Sequence, residues 1–313
     1  MVLDTFLIAG LFQVVMLIGL ALLLHLQLGL SRIANFGVVG FWGVGLYTFG
    51  VLYVRVDWPF ADPFQFVVCA ALATAASGLC GLVVGWLIAD LDVDGVMVGT
   101  LGFATAVALL ATTEQDLTGG ALGLGGLRFP YDAGDVAVNE LIWLLVLVAL
   151  VAGILAYVWL VHRNPYGRLL IAIGSNEPLA KSLGKPATRT KLGLFTVTSA
   201  LMGLLGAMYG VMVRFLEVSS LGVELTLAAV VGLVVGGSVR VLGAVVGVIL
   251  TVGIFDIVIQ SYIPLPSEWY TQTIPLLREV LFGLALILVL IFRPLGLLGH
   301  MRRDQLMKRM HGA

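Results

Sequence analysis

The chain has 313 residues, 60% of them apolar and only 11% charged, with a mean hydropathy of +1.08. Soluble globular domains carry about 25% charged residues, so bulk water is not the main solvent of this polypeptide, and no polar stretch is long enough to make a separate soluble domain. A formal net charge of -1 provides no basic field for a polyanion, which sets nucleic acid aside as a partner.

A charge at the bilayer centre costs a few kcal/mol, so charge-free runs of about 20 residues mark membrane spans. Six are clear: Thr5 to Ser31, Ile33 to Val54, Pro63 to Ala89, Gly95 to Thr113, Leu141 to Val161 and Leu192 to Val213. No basic residue precedes the first run, so it reads as a permanent span and not as a secretory leader. The last third is more broken: Leu225 to Val239, Val241 to Phe255 continuing past Asp256 to Ile263, and Ile274 to Phe292 interrupted by Arg278 and Glu279. These runs predict an all-α, polytopic membrane domain over residues 1–313, with about nine helices (eight to ten), some short or broken.

Basic residues mark cytoplasmic loops. Most of the 17 lie between His162 and Lys191 (Arg163, Arg168, Lys181, Lys185, Arg189, Lys191) or from Arg293 onward (Arg293, Arg302, Arg303, Lys308, Arg309). The loop from Glu114 to Glu140 is acidic and is placed outside. The N-terminus is then outside and the C-terminus inside, with Asp90, Asp92 and Asp94 on an inner turn that lacks a basic partner.

Among the 39 glycines, several fall four apart on one helix face: Gly81 with Gly85, Gly95 with Gly99, Gly206 with Gly210, Gly232 with Gly236, and Gly243 with Gly247. That spacing lets helices approach closely in lipid. Around Ser31 to Tyr47 and Gly232 to Gly247, glycines stand beside the polar residues Asn35 and Ser238 at membrane depth. Irregular backbone survives there only when buried in protein or lining a wet cavity. The glycine-rich stretch Thr118 to Pro130 reads either as a flexible connector or as an external loop that meets a delivering partner.

Cys69 and Cys80 have neither zinc nor redox spacing and read as packing residues. No metal site is expected. His25, His162, His300 and His311 are far apart in sequence and lack obvious carboxylate partners, and no nucleophile motif is present, so the chain is not expected to be an enzyme.

The segment from Asn164 to Phe195 encodes a short helix with both ends signalled. Ser175 or Asn176 can cap its start, Glu177 suits the positive end of the helix dipole, and Pro178 fits the first turn. Gly184 followed by Pro186 closes it. Leu179 and Leu183 share one face that can dock into a groove on a partner.

This stretch resembles the cytoplasmic loop of permeases in ATP-binding-cassette importers, where a Glu-Ala-Ala motif followed by glycine forms a coupling helix. Here the run is Glu177-Pro178-Leu179-Ala180 and then Gly184, with Pro178 in place of a family alanine. More of the chain is similar to the permeases of branched-chain amino-acid importers, especially their M type. The blocks are NFG with GLY from Asn35 to Tyr47, TLGF from Thr100 to Phe103 and TGGALGLGGL from Thr118 to Leu127. The coupling loop follows, then LVVGGSVRVLGAVVG and the stretch from Leu277 to Gly299, in order and over most of the chain. The chain departs from that pattern in two places: Asp90, Asp92 and Asp94 stand where the family usually has basic residues, and Leu122 where asparagine is common.

The resemblance implies a bacterial or archaeal inner-membrane pore built from two related permeases. Two cytoplasmic ATPases would drive it and an extracytoplasmic solute-binding protein would supply it, with ATP and magnesium held by the ATPases. The chain itself needs no cofactor: its only Gly-Lys pair, Gly184-Lys185, is followed by Pro186 and forms no phosphate loop. Asn176, Glu177, Leu179, Ala180, Leu183 and Gly184 are then the candidate coupling residues. Asn35, Thr100 and Ser238, with Phe36, Tyr47, Gly236 and Gly237, are the candidate pathway residues. Branched-chain or other small neutral amino acids are the expected cargo, with urea, short amides or small carboxylates as alternatives. An ion-coupled transporter acting alone is the rival of a different class, with Asp256 as its only acid well inside a span.

Overall fold

A computed structural model describes residues 2–253, apart from Phe60 and Val239, and scattered positions from 280 to 297. Helix α1 (Val2–Leu24) continues into a π-helical turn (His25–Leu30), and the backbone then runs without regular structure to α2 (Val38–Arg55). Next come α3 (Asp62–Leu87), α4 (Val93–Thr113) and the one-turn α5 (Gln115–Thr118). Strand β1 (Leu124–Gly125) leads to α6 (Val136–Arg163), followed by α7 (Pro165–Ser175), α8 (Glu177–Ser182) and α9 (Ala187–Val213). Strand β2 (Phe215–Leu216) precedes α10 (Val223–Gly236) and α11 (Val241–Val248).

Among the described residues, six helices are long and apolar enough to cross a membrane: Leu7–Leu30, α2, α3, α4, α6 and α9. They coincide with the six clear charge-free runs, and the chain is an all-α, polytopic membrane protein. The next two runs behave differently. Among the described residues, helices α10 and α11 are bent by 120° at a break whose Gly237 has φ +108°, the geometry of a broken span or a re-entrant loop. At about 1.5 Å per residue, the 14 residues of α10 are too short for a hydrocarbon layer of about 30 Å. The expected span from Ile274 to Phe292, the rest of the Val241 to Ile263 run, Asp256, the basic tail, His300 and His311 lie outside the fully described region.

Packing follows the absence of a hydrophobic drive between helices in lipid, which leaves close contact and interhelical hydrogen bonds to hold them. At the α2–α9 crossing a Cβ on Gly45 would overlap the Gly203 carbonyl, and one on Gly206 would overlap the Trp42 carbonyl. The Ser77 hydroxyl of α3 sits at the same place and shares its proton between the carbonyls of Phe41 (2.9 Å) and Ser199 (2.7 Å), tying three helices together. Gly81 and Gly85 seat α3 on α9, while Gly232 and Gly236 face Gly243 and Gly247 backbone to backbone. Gly95 and Gly99 meet only their own turn. Helix α1 is enclosed, with Leu17, Leu20 and Leu23 fully buried, whereas Val98, Leu109, Leu145 and Trp159 on α4 and α6 are exposed, as a lipid face requires.

The glycine-rich stretch from Thr118 to Pro130 is folded onto the body. Leu124 pairs with Leu216 and Gly125 with Phe215 in a two-stranded antiparallel bridge, with Leu124 and Leu127 buried and Leu122 left 88% exposed. Glu140, expected in the loop, is instead a buried residue in the second turn of α6, where Arg214 at the end of α9 pairs with it at 3.2 Å. A charge at that point is tolerable because an exposed arginine stands beside it as counter-ion.

Replacing Gly45 by valine is expected to destabilise the protein by about 1–3 kcal/mol or more, because the α2 and α9 backbones must separate. Gly102→Val, where an added Cβ meets nothing within 4 Å, is the matched control. Thermal unfolding in detergent compares them, and equal melting temperatures would refute this crossing.

Candidate functional site

The segment between α6 and α9 is a compact pair of short helices. Asn176, and not Ser175, caps α8: its Oδ1 accepts the Leu179 N–H at 3.0 Å, while the Ser175 hydroxyl turns back to the Ile171 carbonyl. At the other end, Gly184 (φ +74°) donates to Lys181 O and Lys185 donates to Ala180 O. This pair of bonds closes a helix by a left-handed glycine. Ala180 is buried with Ile173 and Ala187 in a small core of its own. Leu179 (54% exposed) and Leu183 (70%), the latter the capping residue just past the helix, point away from it.

Glu177 does more than favour a helix dipole. It bonds Lys181 one turn on at 3.1 Å and also Lys191 in α9, clamping α8 to a membrane helix. Partial burial works to raise the Glu177 carboxyl, but hydrogen bonds from Lys191 and Lys181 outweigh it and hold the group below the usual glutamate value. A carboxyl depressed in the folded state stabilises the fold above its unfolded value and loses that contribution only as pH falls through the lower folded value. Hydrogen exchange at the α8 amides is accordingly expected to stay slow down through about pH 4.3, the ordinary glutamate range, and to accelerate only below it. In Glu177→Gln it is fast at every pH. Equal protection in both proteins would exclude the clamp.

The irregular backbone from Ser31 to Gly37 is held by side chains. Asn35 donates from Nδ2 to Gln27 Oε1 (2.9 Å) and accepts the Gly37 N–H at Oδ1 (2.8 Å), while Gln27 Nε2 donates to Thr198 Oγ1 in α9 (2.6 Å). Thr100 Oγ1 accepts the Phe36 N–H at 3.0 Å and donates to the Val96 carbonyl at 2.8 Å. The Val39 N–H finds Thr226 Oγ1 of α10 at 3.1 Å. Asn35, Phe36 and Thr100 thus form one cluster, with the polar atoms of Asn35 and Thr100 turned inward and buried. Gly236, Gly237 and Ser238 make the α10–α11 bend, whose Ser238 carbonyl lies against Gly29 of the π-helical turn that also holds Gln27. Tyr47 stands apart, farther along α2; its hydroxyl is buried with no partner among the described residues.

Several residues escaped the sequence reading. Gln27, Thr198 and Thr226 are isolated polar residues within apolar runs, which was the available signal. His25 and His162, expected to be far apart, are stacked 5.2 Å apart with Nε2 atoms at 3.3 Å, because α1 and α6 run side by side to the same end. Glu224 is exposed two residues before Thr226. Thr226 bonds the first turn of α2, which rests on Thr100, about 10 Å along α4. A carboxylate at that depth faces water or another protein, not lipid. Among the described residues no three metal-binding side chains converge.

The family model for the permease component of branched-chain amino acid transport systems matches residues 6–290. This chain belongs to that family. Relatives of this permease include the high-affinity branched-chain amino acid transport system permease protein LivM of Salmonella typhimurium, 27% identical over 96% of this chain and 71% of the relative. The Escherichia coli LivM is 26% identical over 98% and 72%. The autoinducer 2 import system permease protein LsrC of Klebsiella pneumoniae is 28% identical over 64% of this chain and 57% of its own length. No solved structure matches.

For this permease, Gln27→Leu is expected to cost about 1–3 kcal/mol, because Asn35 and Thr198 lose a buried partner. Thermal unfolding measures it. A melting temperature unchanged in Gln27→Leu would show that the segment does not depend on this network.

Proposed function

We propose that this permease is the membrane-spanning subunit of an ATP-driven importer for branched-chain or other small neutral amino acids. The observation that carries the reading is the α7–α8 lever. It joins two membrane helices, has its own core, is clamped to α9 through Glu177 and Lys191, and leaves Leu179 and Leu183 uncovered. An apolar face on a rigid cytoplasmic knob suits a groove on a partner. Closure of two ATPase subunits, which hold ATP and magnesium, would move that knob and swing α6 and α9. A second permease, facing the exposed α10 edge with Glu224, would complete the pathway, and a solute-binding protein would deliver cargo at the external loop near Leu122. The family match and the import systems named for the relatives support the same reading. Urea, short amides and small carboxylates are the alternative cargoes.

This arrangement puts the α8 loop inside an inner membrane and the Leu122 loop outside. In a cysteine-free background, Leu122→Cys is expected to label from the outside of intact cells and Ser182→Cys only after permeabilisation; the reverse pattern would invert the topology. Leu183→Glu is expected to reduce co-purification of the ATPases by about tenfold, the effect of losing one docking anchor, without changing the melting temperature of the permease. In proteoliposomes, leucine uptake should require ATP and all the subunits. Uptake by this polypeptide alone on an ion gradient would overturn the proposal.

A further inference from the structure

On the α8 side of the molecule a cavity of about 150 Å³ opens between the irregular segment after the π-helical turn, the α3–α4 turn and the root of the lever. Arg32 and Asp92 line it, and Ile33, Ile88, Val96 and Phe195 supply an apolar wall. Arg32 is held with φ +55°, a left-handed backbone that costs an arginine energy. Its neighbours explain how it is held there: the Ser31 hydroxyl and the Ile33 N–H both bond the Gln27 carbonyl. They do not supply an anion for its guanidinium.

Neither carboxylate in the cavity pairs with Arg32. Glu177 is taken by Lys181 and Lys191. Asp92 uses one oxygen to cap α4 at the Gly95 N–H (2.9 Å) and has no other partner among the described residues. The cavity therefore presents a cation with no counter-ion among the described residues, a carboxylate with acceptor capacity to spare, and a branched apolar wall. A molecule that satisfies all three has a carboxylate for Arg32, which guanidinium binds in a bidentate fork, an ammonium for Asp92, and an aliphatic side chain. Asp92 also belongs to the acidic run that stands where the resembled family usually has basic residues.

We propose that this cavity is an inward-facing binding site for a free aliphatic α-amino acid, separate from the central pathway. Because Glu177 and Lys191 also line it, a bound amino acid touches the clamp between α8 and α9. Occupancy holds the lever in place and slows transport, so cargo accumulating in the cytosol inhibits its own uptake. The inference rests on the reading of this chain as an amino-acid importer.

The test uses the complete transporter in proteoliposomes, with millimolar leucine added on the ATPase side. Uptake rates are expressed relative to each protein's own leucine-free rate, and tritiated leucine binding is measured by equilibrium dialysis without the solute-binding protein. Wild type is expected to be inhibited and to bind. Arg32→Gly, which suits the left-handed backbone, and Asp92→Asn, which retains an acceptor for the cap, are each expected to weaken binding and inhibition by about tenfold, one charge-assisted pair apiece. Inhibition undiminished in both variants, or no leucine binding in wild type, overturns the site. Inhibition by lactate that survives Asp92→Asn but not Arg32→Gly overturns the amino-acid assignment in favour of a simple carboxylate. A transporter that takes up no amino acid at all fails the proposed function instead, which the leucine-free uptake rate reveals separately.

Discussion

In a bilayer core, a backbone N–H or C=O has no water to turn to, and each one left unmet costs several kcal/mol. This chain departs from regular helix within its membrane domain after the π-helical turn and again at the α10–α11 bend. It answers with a small set of polar side chains. Gln27 is central: it bridges Asn35 in the irregular segment to Thr198 in α9, while Thr100 and Thr226 receive the first free amides of the α2 start. The second break is brought to the same turn by Ser238 against Gly29. The membrane core is thereby organised around one irregular joint between α1 and α2.

That joint also touches the α7–α8 unit. Gly174 of α7 lies against the Leu30 carbonyl at the end of the π-helical turn, and Lys191 binds Glu177 at the start of α9. Under the proposed function, a displacement of α8 would reach α9 through an ion pair and the joint through a close backbone contact. Helix α9 is also packed tightly on α2 and α3 by Gly45, Gly203 and Ser77. Bistable packed elements, rather than soft deformation, carry such motions.

Glu140 and Arg214 show how the end of the bundle opposite α8 tolerates charge. Each is the other's counter-ion where α6 begins and α9 ends, and the β1–β2 bridge closes over the same end. That end is thus an ordered cap, and Leu122 is its most exposed apolar side chain among the described residues.

Most of the helices were legible in the amino-acid order, because the cost of placing charge in hydrocarbon writes each span as a run without Asp, Glu, Lys or Arg. The α8 ends were legible for a local reason: Asn176, Pro178 and Gly184 act within one turn of their own position. Long-range partners left no such mark. That Asn35 bonds Gln27, that His25 stacks on His162, and that α10 and α11 meet at a sharp bend all depend on which helices stand side by side. A charge-free run records only that a segment tolerates lipid or burial. Tertiary packing decides what it is buried against, because polar satisfaction in a membrane is settled between helices, here by residues 137 and 171 apart in the chain.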